Sequence, residues 1–274
     1  MASSNPKFNK FKQDIFAKIG FLILFLFLGF TLIQSFLPSP FEQNLQNRLL
    51  NVGADGHIFG TDQFGRDLLS RLIYGIRISM FVGILSSIIS AFIGISIGLL
   101  SGYYGGKIDS ILMRLTDIIM AFPTLLLLIA LSTAMEPGIK TVIVVIGIVS
   151  WTGMARLVRS QVLSIKSDEF IHAAKSLGFS ESKILLQHVL PNCFGPILIS
   201  FTLGISGAIM AEASLSFLGL GTQPPMPSWG IMISEGKDFF RVAPALSILP
   251  GGVIALGVIG FNLIGESLRD ALDI

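Results

Sequence analysis

Six stretches of this sequence are apolar over a length that can cross a lipid bilayer as an α-helix. They lie at about residues 17–37, 79–101, 112–134, 141–158, 193–217 and 246–267. A crossing of the hydrocarbon core takes about 20 apolar residues, because a helix rises only about 1.5 Å per residue. Only 13% of the residues are charged, whereas ordinary soluble domains carry ~25%. We therefore expect an all-α integral membrane protein with six transmembrane helices.

The first apolar stretch follows Lys7, Lys10 and Lys12, as the apolar part of a cleaved signal peptide would. It is longer than a signal peptide requires, and the following LPSP does not resemble a small-residue cleavage site. We expect this stretch to remain as the first transmembrane helix.

The distribution of cations predicts that both chain termini are cytoplasmic, because Lys and Arg in short loops accumulate on that side. The cations that this topology places inside are Lys7, Lys10, Lys12, Lys18, Lys107, Arg114, Arg156, Arg159, Lys166, Lys175 and Lys183. The opposing cations, in the predicted external segment, are Arg48, Arg66, Arg71 and Arg77. That segment is long enough for the rule to weaken. Residues 159–192 then form a cytoplasmic loop, and residues 218–245 an external one.

The cytoplasmic loop contains a polar stretch, FIHAAKSLGFSESKILLQHVLPN, in which we expect two short helices. Ser167 is expected to cap the first helix, starting at Asp168. Its apolar stripe consists of Phe170, Ala173, Ala174 and Leu177. Gly178 is predicted to end it, since glycine adopts the left-handed conformation of a helix end without steric cost.

The second helix of this loop is expected to start at Ser180 and to be broken by Pro191, which lacks a backbone N–H. Periodicity alone leaves two interpretations open. The two helices could be an amphipathic hairpin packed on the chain's own transmembrane helices, or a surface that another protein contacts.

The loop resembles the cytoplasmic signature loop of permease subunits of bacterial ABC importers. That pattern is Glu-Ala-Ala, three residues, Gly, nine residues, Ile, one residue and Leu-Pro. The matching positions here are His172, Ala173, Ala174, Gly178, His188, Leu190 and Pro191. His172 replaces the glutamate and His188 replaces the isoleucine. The resemblance implies that the loop, with Phe179 beside its glycine, docks as a coupling helix on an ATPase subunit.

Three other segments resemble the dipeptide, oligopeptide and nickel branch of these importers. They read GTDQFGRDLLSRLIYGIRIS at 60–79, SFLGLGTQPPMPSWGIMI at 216–233 and FNLIGESLRDALD at 261–273. The resemblance implies a core permease domain of five helices at 60–274 after an N-terminal segment at 1–59, with a type I importer fold. It also implies four partners: a second permease subunit, two ATP-binding subunits and an extracytoplasmic binding protein. The cargo would be short peptides or, alternatively, nickel or a metal chelate.

The chain is expected to bind no cofactor and to catalyse no reaction. SGYYGGKID, its nearest match to a phosphate-binding loop, lacks the first glycine and the Ser or Thr after the lysine. ATP and magnesium would therefore be bound by partner subunits. His57, His172 and His188 lack the spacing of metal ligands. The net charge of +2 gives no sign of a nucleic-acid partner. The rival interpretation from another class is an ion-coupled secondary transporter, which would carry its own coupling-ion site.

Three residues within the apolar stretches are candidates for the translocation pathway or a gate: Glu212, Pro123 and Asn262. Intramembrane carboxylates usually face a bundle interior or a water-filled cavity, so Glu212 fits either a pathway role or a buried structural one. Pro123 is expected to kink the third span. Asp117 is expected to pair with Arg114. The glycines expected to pack helices closely are Gly94, Gly98, Gly102, Gly257, Gly260 and Gly265.

Overall fold

The computed structural model describes residue 11 and residues 13–272 of the chain. The helices in that part are α1 (Ile15–Ile33), α2 (Leu68–Tyr104), α3 (Gly106–Met120), α4 (Thr124–Thr133), α5 (Ile139–Val149), α6 (Trp151–Ile165), α7 (Glu169–Ser176), α8 (Glu181–Ile184), α9 (Leu190–Asn192), α10 (Phe194–Phe217), α11 (Trp229–Gly236) and α12 (Ala245–Leu272). A π-helical turn, Leu185–Val189, joins α8 to α9. The cations Lys7, Lys10 and Lys12 lie outside the described residues.

The described helices provide five apolar spans, or six if α3 and α4 together count as one. The single spans are α1, α2, α5 with α6, α10 and α12. The predicted second span is too short, because α2 begins at Leu68 rather than near residue 79. Residues 68–78 include Tyr74 and Arg77, so hydropathy alone does not assign them to the helix.

The predicted third span is a pair of separate helices rather than one kinked helix. The chain bends by 86° between α3 and α4. Pro123 precedes the first residue of α4, where its missing N–H costs no helical hydrogen bond. The change of direction predicted at Pro123 is therefore present, but as a break between two helices rather than as a kink within one.

Helices α2 and α6 run in the same direction and pack side by side, with glycines of α2 at the contact. A Cβ atom on Gly94 would lie 2.6 Å from Met154 Cβ, and one on Gly102 would lie 2.7 Å from Val162 Cβ. At Gly98 it would lie 2.6 Å from both Ala155 O and Val158 Cβ. The sequence could not tell whether these glycines pack within one subunit or between subunits. In the structure they pack within the chain.

Helix α12 runs antiparallel to both α1 and α10, which places the start of α1 and the end of α12 on one side. Gly260 faces Ile23, while Gly257, earlier in α12, faces the later residue Phe27. Gly265 faces Leu203, while Val258, earlier in α12, accepts a hydrogen bond from the later residue Ser206 of α10. The start of α1, the end of α12 and the loop before α10 therefore share one side of the bundle.

Replacing Gly98 with leucine is expected to destabilise the fold, because the side chain would push against the backbone and a β-branched residue of α6. Overpacking of this kind costs about 1–3 kcal/mol, so we expect a lower melting temperature and less monodisperse protein in detergent. Gly29→Leu is the matched control, since a Cβ on Gly29 has no atom within 4 Å. An equal fall in melting temperature in the two variants would contradict the proposed role of the α2–α6 contact.

The predicted orientation can be tested by cysteine labelling in a Cys193→Ala background. Ser164 and Asp238 are both exposed and lie at opposite ends of the bundle. A cysteine at Ser164 should react only with reagents that reach the cytoplasm, and one at Asp238 with reagents added outside intact cells. The reverse pattern would overturn the orientation inferred from the cations.

Candidate functional site

The polar loop between α6 and α10 begins with α7, whose N-cap is Asp168. The prediction that Ser167 caps this helix is wrong, because its hydroxyl donates backward to the Ser164 carbonyl at 3.1 Å. The Asp168 carbonyl accepts from the Ile171 N–H at 3.1 Å and so starts the helical hydrogen bonding.

Gly178 ends α7 as predicted, with φ of 78°. Its N–H donates to the Lys175 carbonyl at 2.9 Å, and the Phe179 N–H donates to the Ala174 carbonyl at 3.2 Å. These two bonds form a Schellman motif, which satisfies carbonyls left free at the helix end. The left-handed φ requires glycine, since another residue would be strained there.

The buried side of α7 differs from the predicted stripe. Ile171 and Ala174 are buried, in a cluster that includes Val162, Val189 and Cys193. The predicted stripe residues Phe170, Ala173 and Leu177 are instead exposed. A helix of two turns carries too few residues for periodicity to locate its buried side.

Three exposed apolar side chains, Phe170, Ala173 and Leu177, thus form what we call the outer face of α7. Phe170 is 41% exposed and Leu177 is 74% exposed. His172, at the position of the family glutamate, is exposed as well. The inner side anchors α7 to α6 and to the turns before α10, while the outer face is free in the isolated chain.

The second half of the loop remains helical through Pro191, so the predicted break is wrong. The N–H of Leu190 bonds to the Leu185 carbonyl, five residues back. This wider π turn lets the chain continue past a residue without an N–H. Leu190 packs against the buried cluster, whereas Pro191 is exposed. The predicted docking residues are therefore not all on one surface.

Phe179 lies beside His188 and Lys183. The Phe179 and His188 rings stack with centroids 5.8 Å apart, and the Lys183 ammonium lies 4.2 Å from the centre of the Phe179 ring. Phe179 thus holds the turn after α7 against the π turn.

Two ion pairs that the sequence interpretation missed connect α3 to α6. Arg159 donates to Asp109 through Nε at 2.5 Å and through Nη2 at 2.6 Å. Arg156 donates to Asp117 at 2.6 Å, so the predicted pairing of Asp117 with Arg114 is wrong. Two arginines three residues apart share one face of α6, and that spacing was the available signal.

The three intramembrane candidates lie on different elements and have different surroundings. Glu212, in α10, is fully buried and accepts from Ser79 at 2.9 Å, Ser216 at 2.7 Å and Thr222 at 3.5 Å. It therefore links α2, α10 and the segment after α10, an arrangement that favours the structural interpretation. Pro123 is exposed at the break before α4, and Asn262 is half-buried in α12.

A second buried polar cluster lies on the opposite side from the loop. Arg66 contacts Asp62 at 2.6 Å and Glu235 at 3.0 Å, while Arg71 contacts Glu235 at 2.8 Å. These pairs neutralise two of the arginines that opposed the predicted orientation. The predicted external segment therefore carries less free positive charge than its sequence suggests.

The chain matches the family described as "Binding-protein-dependent transport system inner membrane component" over residues 94–273. It is 42% identical to the dipeptide transport system permease protein DppC of Alkalihalophilus pseudofirmus, covering 97% of this chain and 88% of the relative. The oligopeptide transport system permease protein OppC of Escherichia coli K12 is 42% identical, covering 96% and 88%. The glutathione transport system permease protein GsiD of Pectobacterium atrosepticum is 41% identical, covering 96% and 87%.

Among solved structures, the inward-facing MetNI methionine ABC transporter matches with a TM-score of 0.60 at 16% identity. The match covers 73% of this chain and 95% of the other, and at that identity it supports the fold alone. Spans, loop and sequence relatives all agree: the chain belongs to the binding-protein-dependent inner membrane components, the permease subunits of bacterial ABC importers, and is a multi-pass protein of the plasma membrane.

Proposed function

We propose that this permease forms one half of a translocation pathway for short peptides and is driven by ATP-binding subunits that dock on the outer face of α7. Its partners would be a second permease subunit, two ATP-binding subunits and an extracytoplasmic binding protein. Membership of the binding-protein-dependent importer family argues against an ion-coupled secondary transporter.

The observation that carries the docking proposal is the outward orientation of apolar side chains on α7. Phe170 and Leu177 flank Ala173, whose small side chain lets a partner approach closely. Burying such a surface against another protein is favourable, at about 25 cal/mol per Å² of apolar area. If the hairpin only packed on its own bundle, the outer face would be turned inward. In the structure the residues of α7 that pack in the buried cluster are Ile171 and Ala174.

The inner side of α7 supplies a route by which docking can move the spans. Ile171 packs in one cluster with Val158 and Val162 of α6 and with Ile197 of α10. The Lys166 ammonium also donates to the Tyr103 carbonyl at the end of α2. A displacement of α7 would therefore act on three transmembrane helices together.

The sequence relatives support peptides as the cargo. Those proteins are named as permeases for dipeptides, oligopeptides and glutathione, all of which contain amide-linked amino acids. The nickel alternative has no support among these names. The binding protein would select the individual peptide before it reaches this subunit.

Replacing Gly178 with aspartate is expected to spare membrane insertion and to reduce uptake about tenfold or more, since an unpaired carboxylate buried in an interface is costly. An added Cβ has no atom within 4 Å, so the strain within the chain is only that of the left-handed backbone, ~1 kcal/mol. Uptake, membrane abundance and co-purification of the ATP-binding subunits should be measured together.

Gly219→Asp is the matched control for this variant. Gly219 has φ of 79° and no atom within 4 Å of an added Cβ, and it ends α10 with the same pair of hydrogen bonds. It should retain the ATP-binding subunits, whereas Gly178→Asp should lose them. Normal uptake and normal co-purification in Gly178→Asp would show that the loop is not the docking element.

The purified subunit should hydrolyse no ATP above background, and hydrolysis should appear when the ATP-binding subunits are added. The reason is the absence of a phosphate-binding loop from the sequence. ATP hydrolysis by a preparation that mass spectrometry shows to be free of partner subunits would contradict the proposal that those subunits hydrolyse the ATP.

A further inference from the structure

A cavity of about 140 Å³ lies between α2, the α5–α6 junction and α10. We call it the serine cavity, after Ser86, Ser87, Ser90, Ser150 and Ser200, which line it together with Gly204. Ser86 lies at the centre of α2 and Ser150 near the centre of the span formed by α5 and α6, so the cavity lies at mid-depth in the bundle. None of the lining residues carries a charge.

Two of these hydroxyls are available for a ligand. Ser86 Oγ and Ser87 Oγ are buried and have no hydrogen-bond partner within the described chain. Other hydroxyls of the same helices bond to their own backbone: Ser96 to the Phe92 carbonyl at 2.7 Å and Thr202 to the Leu198 carbonyl at 2.8 Å. Burying an unpaired hydroxyl is unfavourable, so a group that pairs with it is favoured.

Glycine keeps the serine cavity open. A Cβ on Gly204 would have Ser87 Oγ as its nearest neighbour, 4.0 Å away, and one on Gly153 would have no atom within 4 Å. The glycines that pack α2 on α6 behave differently, since a Cβ on Gly94 would overlap Met154. The rim glycines therefore leave volume that no side chain of this subunit fills.

The serine cavity opens on a surface that does not suit lipid. Ser150, Gly153 and Gly204 on its rim are exposed in the isolated subunit. Strongly exposed apolar side chains lie on other surfaces, such as Phe25 and Leu32 on α1 and Phe92 on the side of α2 away from Ser86 and Ser90. Unpaired hydroxyls facing hydrocarbon would be unfavourable, so this side faces protein or a water-filled path.

From these observations we propose that the serine cavity is this subunit's binding site for the main chain of a peptide in transit. The proposal rests on the proposed function and assigns the site within it. Hydroxyls both donate and accept, so they can pair with the amide N–H and carbonyl groups common to all peptides. A lining without charge does not discriminate between acidic and basic side chains.

The size of the cavity fits such a shared and transient site. Small-molecule sites usually enclose about 300–1,000 Å³, so in the proposal the 140 Å³ is one side of a larger water-filled space, with the second permease subunit across that space rather than packed against the cavity. A peptide held by a few hydroxyl contacts is also bound weakly enough to be released, which passage through a pore requires.

The first test fills the cavity in the complete importer with Gly204→Phe. Uptake of alanylalanine, lysylalanine and glutamylalanine should each fall about tenfold or more, because the ring occupies the site, while co-purification of all subunits stays normal. Gly29→Phe is the control, since it adds the same ring where no atom lies within 4 Å.

Normal uptake by an assembled Gly204→Phe importer would overturn the proposal. Loss of assembly would also overturn it, by showing that this surface packs against the partner subunit. A fall for only one of the three dipeptides would contradict main-chain recognition. If the unaltered importer takes up none of them, the proposed function itself fails, an outcome distinct from a defect confined to the variant.

The second test labels the cavity directly, using Ser87→Cys in a Cys193→Ala background. A small charged methanethiosulfonate reagent should modify this cysteine, and alanylalanine supplied with the binding protein and ATP should slow the modification about threefold or more by occupancy. A cysteine at Phe25 should resist the reagent because it faces lipid. Modification of Ser87→Cys at a rate unchanged by the dipeptide would overturn the proposal.

Discussion

The close contact between α2 and α6 is the constraint on which the rest of the bundle depends. In lipid no hydrophobic effect draws helices together, so close packing requires small side chains. On α2 such residues recur at every fourth position: Ser86, Ser90, Gly94, Gly98 and Gly102. The glycines of this stripe are in contact with α6, and the serines line the cavity near the α5–α6 junction. The same stripe of small residues thus allows the close contact between α2 and α6 and leaves the serine cavity beside it.

The positions of the spans follow from the sequence because lipid imposes a length and a composition that hydropathy detects. Their ends do not, because a helix can continue into water with polar residues, as α2 does towards Asp67, which caps it. The 86° bend before α4 could not be predicted from the sequence either. Proline permits such a break, but the bend angle depends on how α3 is positioned. The ion pair between Asp109 of α3 and Arg159 of α6 fixes that position.

The candidate site was predictable where a single residue determines the backbone, and not where tertiary contacts decide. Gly178 was found because a left-handed helix end has a chemical signature. The buried side of α7 was missed because Ile171, outside the predicted stripe, packs in the cluster with Val162, whereas Phe170 does not. The continuation past Pro191 was missed because the π turn before it leaves no mark in the sequence.

Helix α10 connects the loop to the serine cavity and so explains how docking could reach a peptide. Its first turn follows the buried Cys193, which packs with Ile171 of α7. Its other end is held by Glu212, which accepts from Ser79 of α2 and from Ser216. A buried carboxylate with its hydrogen bonds satisfied is costly to displace, so that end is the fixed one. If docking displaces α7 as proposed, α10 would tilt about Glu212, and Gly204, which lies between the two ends, would move with it. The wall of the cavity would change shape while the contact of α2 with α6 stays intact.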